Sequence, residues 1–153
     1  MAETRIREAG CSCGKLTIKL SGDPEYVSSC ACQACQRRTG SAFGVTAFFK
    51  EDHLVGQWGE AAVFERLGGS GQPMFFRFCP HCGSTVWWEA LARPGRIAVA
   101  AGAFADKDFP APQRLIWADY GCDWIRAPDG AQVFPGQPTA DPKDPSRSRR
   151  SAP

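Results

Sequence analysis

Several things are missing from this 153-residue sequence. No segment approaches the ~20 consecutive apolar residues that a membrane span needs. The opening residues, Met1-Ala2-Glu3-Thr4-Arg5-Ile6-Arg7, carry no apolar run, so no secretory signal is expected and a cytoplasmic location is the default. Histidine is nearly absent: His53 and His81 are the two, and neither position is a strong acid–base candidate. His53 reads as a surface turn, and His81 as an exposed loop residue. There is no internal repeat. A charge of one sign is also lacking in the body of the chain. Of 18 basic and 16 acidic residues, four and two fall in 138–153, which leaves 14 of each in 1–137. A neutral body argues against broad binding to a nucleic-acid backbone, which works through clustered Lys and Arg.

Helical patterning is scarce too. Only 32–39 (CQACQRRT) suggests a helix, and a short one. What is present is period-two alternation between Gly and Pro punctuation. The stretch 15–20 alternates polar and apolar as a half-buried strand does. Similar segments occur at 43–49, 62–67, 74–78, 85–88 and 97–101, and Ile116-Trp117 with Trp124-Ile125 reads as a last strand pair. Trp87, Trp88 and Trp117 are expected to include core residues, with alternate members facing outward. The fold class is therefore all-β with one short helix, in a single domain over 1–137. Residues 138–153, rich in Pro, Ser, Asp and Arg, read as a disordered tail.

The eight cysteines are the strongest signal. In a reducing compartment metal binding is a better reading than four disulfides. Cys79 and Cys82 lie in Phe78-Cys79-Pro80-His81-Cys82-Gly83, where proline presets a turn and glycine admits a left-handed residue. Such a knuckle supplies half a tetrahedral zinc site. Cys11 and Cys13 are its natural partner, because alternate residues of an extended segment point the same way. The four would form a closed structural site. Cys30, Cys32 and Cys35 form C-x-C-x-x-C, giving three thiolates from six residues, the last one or two at the start of a short helix, whose free N–H groups favour negative charge. Three protein ligands and a free position is the arrangement of catalytic zinc. Two readings of Cys122 stay open: a fourth ligand that closes this second site, or a free buried cysteine.

These residues resemble the glutathione-dependent formaldehyde-activating enzyme family, also called the centromere protein V/formaldehyde-activating domain. The likeness runs from Gly10-Cys11-Ser12-Cys13-Gly14 through Cys30-Ala31-Cys32-Gln33-Ala34-Cys35 to Phe78-Cys79-Pro80-His81-Cys82-Gly83-Ser84, and more loosely to about residue 135. It implies a Mss4-like β-tent, with one zinc on Cys11, Cys13, Cys79 and Cys82 and a second on Cys30, Cys32 and Cys35. It also implies a carbon–sulfur lyase activity that joins glutathione to formaldehyde as S-hydroxymethylglutathione. Ala31 and Gln36 stand where the family often has His and Arg. The expected partner is a small thiol or its aldehyde adduct, with Arg37 or Arg38 gripping a glutathione carboxylate. The bland reading of both arginines is an exposed helix face. A competing function class is a zinc-stabilised binding module or an inactive relative without catalysis.

Overall fold

The computed structural model describes residues 4–138 and the backbone of Ser148–Arg149. Strands β1 (Ile6–Gly10), β2 (Thr17–Ser21) and β3 (Tyr26–Cys30) lead into helix α1 (Gln33–Thr39). There follow β4 (Gly44–Lys50), β5 (Leu54–Trp58), β6 (Ala62–Leu67), β7 (Pro73–Phe78), β8 (Thr85–Ala90) and β9 (Arg96–Ala100). β10 (Arg114–Ile116), β11 (Gln132–Val133), β12 (Gln137–Pro138) and β13 (Ser148–Arg149) complete the described elements. The domain is all-β with one short α-helix, as the alternation predicts. No helix among the described residues is long and apolar enough to cross a membrane.

Strands β1, β2 and β5 make a small antiparallel sheet in the order β1-β2-β5. The large sheet runs β11-β10-β3-β4-β9-β8-β7-β6. The core lies between the two: Ala9, Ile18 and Leu20 pack with Val27, Ala47, Phe49, Val86, Trp87, Ile97 and Val99. Because strand side chains alternate between faces, the neighbours of those residues emerge on the far side of the large sheet. Phe76, Trp88 and Ala98 form a second cluster there, flanked by Phe48, Met74 and Ala100. The pleat thus splits Trp87 from Trp88, and the second face becomes the floor of a cleft.

Three strands escape the sequence pattern. In β1 the apolar Ile6 is exposed and the charged Arg7 is buried, which inverts the expected hydropathy. β3 carries two buried serines, Ser28 and Ser29, and β5 is a largely exposed edge strand. One expectation needs correction: Trp124 and Ile125 lie in a turn, not a strand. Instead, β10 pairs in parallel with both β3 and β11, a pairing that a three-residue strand does not announce. The tail expected over 138–153 lies outside the described residues, apart from Pro138 in β12 and the Ser148–Arg149 backbone that pairs with it.

Candidate metal centres and the arginine cleft

All eight cysteines are free, and the fold gathers seven of them into two groups. Cys11 and Cys13 sit in the turn between β1 and β2, and Cys79 and Cys82 in the turn between β7 and β8. Their four sulfurs lie within 4.8 Å of one another. The Cys11–Cys13 and Cys13–Cys79 sulfur separations are 3.6 and 3.7 Å. Tetrahedral zinc with ~2.3 Å Zn–S bonds sets sulfurs about 3.8 Å apart, whereas a disulfide needs about 2.05 Å. The donor set therefore fits zinc and does not fit a disulfide.

Local structure prepares these sulfurs. The Leu16 N–H donates to Cys11 Sγ at 3.2 Å. Burial pushes the Cys11 thiol up, but that N–H and the neighbouring thiols outweigh it and leave it lowered. The Ser84 hydroxyl and backbone pull Cys82 down to about 5. The N–H of Lys15 favours a thiolate at Cys13, yet lost hydration and the other three sulfurs push it to about 11. Ser12 and Ser84 latch the two turns together by hydroxyls 2.9 Å apart. Gly83 takes a φ of 77°, the left-handed residue the knuckle requires.

The second group is Cys30, at the end of β3, with Cys32 and Cys35; their sulfurs also lie within 4.8 Å of one another. Cys32 is the N-cap of α1, and its sulfur accepts from the Cys35 N–H at 3.4 Å. Hydrogen bonds from Cys30 and Cys35 pull the Cys32 thiol down to about 2, helped by the Arg66 charge. The same contacts push Cys30 up. Cys35 is raised as well: its bond with Cys30 lowers it, but the Cys32 thiolate and burial prevail. The three sulfurs thus pull one another in opposite directions, Cys32 toward the thiolate and Cys30 and Cys35 away from it. A divalent cation supplies the positive charge that would ionise all three. Gly44 lets α1 close on β4, because a Cβ there would stand 2.8 Å from Arg38 Nη2 and 3.5 Å from Cys35 Cβ. Gln36 ties the helix down by donating to the carbonyls of Ala31 and Tyr120 at 2.8 and 3.0 Å. Ala31 is fully buried, and a Cβ on Gly121 would lie 3.1 Å from its own. Cys122 belongs to neither group and is exposed, so neither the closing ligand nor the buried cysteine describes it.

These three cysteines open onto a cleft of about 720 Å³ on the outer face of the large sheet. Strand register builds its floor: Tyr26 pairs with Phe48, Phe48 with Ala98, Ala98 with Trp88, and Trp88 with Phe76. Five arginines line it, Arg38, Arg66, Arg93, Arg96 and Arg114, and no Asp, Glu or His does so among the described residues. The guanidinium groups lie on the rings. Arg38 stands 4.5 Å from the Trp88 centroid, Arg66 5.0 Å from Phe76, Arg93 5.0 Å from Phe48 and Arg114 4.5 Å from Tyr26. Arg96 is held by Glu25 at 2.6 Å. Of the two helix arginines, Arg38 enters the cleft and Arg37 is exposed outside it. His81 is exposed, and His53 is half-buried beside Gly22; neither reaches the cleft.

The glutathione-dependent formaldehyde-activating enzyme family profile matches residues 6–120, a span that holds seven of the eight cysteines. The chain belongs to that family. Among solved structures, a crystal structure of a Rhodobacter sphaeroides protein is similar at 17% identity and a TM-score of 0.49, covering 83% of this chain and 98% of that one. No curated protein matches the chain.

Within this family frame, sequence reasoning groups the same cysteines and names Arg37 and Arg38 together, of which Arg38 lines the cleft; it does not foresee Arg66, Arg93, Arg96, Arg114 or Tyr26 there. A signal was available for part of the set. Counting in twos from Cys30 along its strand reaches Ser28 and then Tyr26. The arginines come from other strands and loops, and only the register aligns them.

Proposed function

We propose that this protein is a zinc-dependent carbon–sulfur lyase of the glutathione-dependent formaldehyde-activating type, acting on a small thiol and its aldehyde adduct. One observation carries the reading. Three sulfurs converge at the wall of an arginine-lined cleft, and no fourth ligand joins them among the described residues. A closed site has no reason to face a cavity, whereas an open one does.

Cys30, Cys32 and Cys35 would hold the ion, and Cys11, Cys13, Cys79 and Cys82 a second, structural one. Zinc, when bound, supplies the Lewis acidity that lowers the pKa of a thiol entering its free position. The reaction forms one bond between sulfur and the aldehyde carbon, and the thiol proton ends on the former carbonyl oxygen. Reversal breaks that bond and returns the proton. The cleft residues bind and orient. Arg38, 4.5 Å from the Trp88 ring centroid, would take a substrate carboxylate; Arg37 lies outside the cleft lining. With no carboxylate lining the cavity among the described residues, an acidic substrate meets no side-chain carboxylate there. No imidazole lies there either, so protons exchange with solvent. Thiolate ligands need reducing conditions, which fits the cytoplasm.

That lack of an acid–base side chain also favours a second reading, a zinc-stabilised binding protein without turnover. Two measurements on the zinc-loaded chain separate them. Calorimetry should give glutathione binding that falls about tenfold or more in Arg38→Ala and vanishes in Cys32→Ser. Exchange spectroscopy of formaldehyde with glutathione should show faster adduct formation with the wild type than with Cys32→Ser. Binding without acceleration would establish the binding module, and glutathione binding that Cys32→Ser leaves intact would refute the metal-centred reading.

A further inference from the structure

Four of the cleft arginines, Arg38, Arg66, Arg93 and Arg114, form no ion pair with a described carboxylate. Cations gathered in a concave, partly desolvated site repel one another more strongly than on open surface, so an unneutralised set is costly to keep. They fall into two pairs. Arg38 and Arg66 sit over Trp88 and Phe76, and their charges are felt at Cys35 and Cys32. Arg93 and Arg114 sit over the stacked Tyr26–Phe48 pair, whose centroids are 4.5 Å apart.

The second pair has neutral partners only. Arg114 Nε donates to Ser28 Oγ at 3.2 Å, and Arg93 donates to the Tyr26 hydroxyl. Loss of hydration holds Arg114 below its usual value, and the Arg93 charge adds to that. Each guanidinium keeps further N–H donors in a fixed planar fork, the geometry that suits an oxyanion. Strand β3 supplies a ruler. Tyr26, Ser28 and Cys30 are alternate residues of one strand and line the same cleft. At about 3.3 Å per residue, the Ser28 and Tyr26 levels lie about 7 and 13 Å from Cys30.

We propose that Arg93 and Arg114 form a second anion subsite, which takes a remote oxyanion of the substrate, a carboxylate or a phosphate, about 7–13 Å from its reacting sulfur. This rests on the proposed reading only in taking the cysteine end as the place where that sulfur sits. The consequence is selection by length. A thiol acid of cysteine size places its carboxylate too near its sulfur to reach the pair, whereas a longer thiol acid spans both ends.

The test is a homologous series of ω-mercaptoalkanoates of increasing chain length, titrated calorimetrically into the zinc-loaded full chain. ω-Mercaptoalkyl phosphates and neutral ω-mercaptoalkanols of matched length run alongside. Above a threshold length the acids should bind about 10- to 100-fold more tightly than the alkanols. That advantage should disappear in Arg93→Gln and Arg114→Gln, while the shortest acids are indifferent to both. Whichever anionic series binds more tightly identifies the group as carboxylate or phosphate. Equal binding of acids and alkanols at every length, or an advantage untouched in both variants, would overturn the subsite. The alkanols test the cysteine end separately: they should bind the wild type and not Cys32→Ser. If they bind neither, the sulfur-binding reading fails while the arginine dependence of the acids still decides the subsite. Should Arg114→Gln fail to fold, Arg93→Gln compared with Arg93→Lys decides instead, with loss in the first and partial retention in the second.

Discussion

Arg7 occupies a strand position where hydropathy calls for an apolar side chain, with its side chain only 4% exposed. It is kept there by two carboxylates, Asp23 through Nε at 3.1 Å and Asp106 at 3.3 Å, and by the Phe109 ring 5.0 Å away. The hydrogen bond and the charge of Arg7 lower the Asp23 pKa below its ordinary 3.8. The sign of the pH effect follows. A depressed folded pKa contributes stability above the unfolded value, and that contribution is lost as pH falls through the folded one. Asp23→Asn should therefore lower the Tm at neutral pH, and the gap from wild type should close on acidification below 3.8. Thermal melts of both proteins across that range check it. A gap that persists unchanged in acid would show that the pair contributes nothing through ionisation.

Among the elements, helix α1 and strand β5 end on glycines whose substitution should cost very different amounts. Gly40 caps α1 at φ 65° with its N–H donating to the Gln36 carbonyl at 2.8 Å, and a Cβ there meets nothing. Gly40→Ala then costs only the left-handed backbone, about 1 kcal/mol. Gly59 follows β5 at φ 94°, and a Cβ there would fall 1.8 Å from the Lys15 carbonyl oxygen, a backbone atom that cannot swing away. Gly59→Ala should cost clearly more, about 3 kcal/mol or above. Urea denaturation of the two variants ranks them, and equal costs would refute the steric argument. Legibility in the sequence follows the same local logic. Strands with clean alternation, such as Thr17–Ser21, and the helix announced by CQACQRRT are found where expected. β1 and β3 stay hidden because buried Arg7, Ser28 and Ser29 break the apolar pattern that marks a core strand. The cysteine groups are legible because ligand spacing is local. The arginine cleft is not, because seven strands, β10 through β6, must first come into register.

At the scale of the whole molecule, the two sheets meet through a packed core and through one sulfur cluster. Cys11 and Cys13 belong to the small sheet's turn, Cys79 and Cys82 to a turn of the large sheet. An ion there would act as a cross-link between sheets, so its binding energy would count as folding energy. The other cluster lies on the far face, where the aromatic floor and the arginines meet it. One sheet thus has two unlike faces: its inner face packs the core, and its outer face carries the cleft and the three-cysteine group. The most direct measurement is metal content per chain combined with X-ray absorption at the zinc edge, on wild type, Cys122→Ser and Cys32→Ser. The account predicts two zinc ions in wild type and in Cys122→Ser, averaging fewer than four sulfurs per ion, and one all-sulfur ion in Cys32→Ser. Four sulfurs around both ions in wild type, or loss of the second ion in Cys122→Ser, would contradict it.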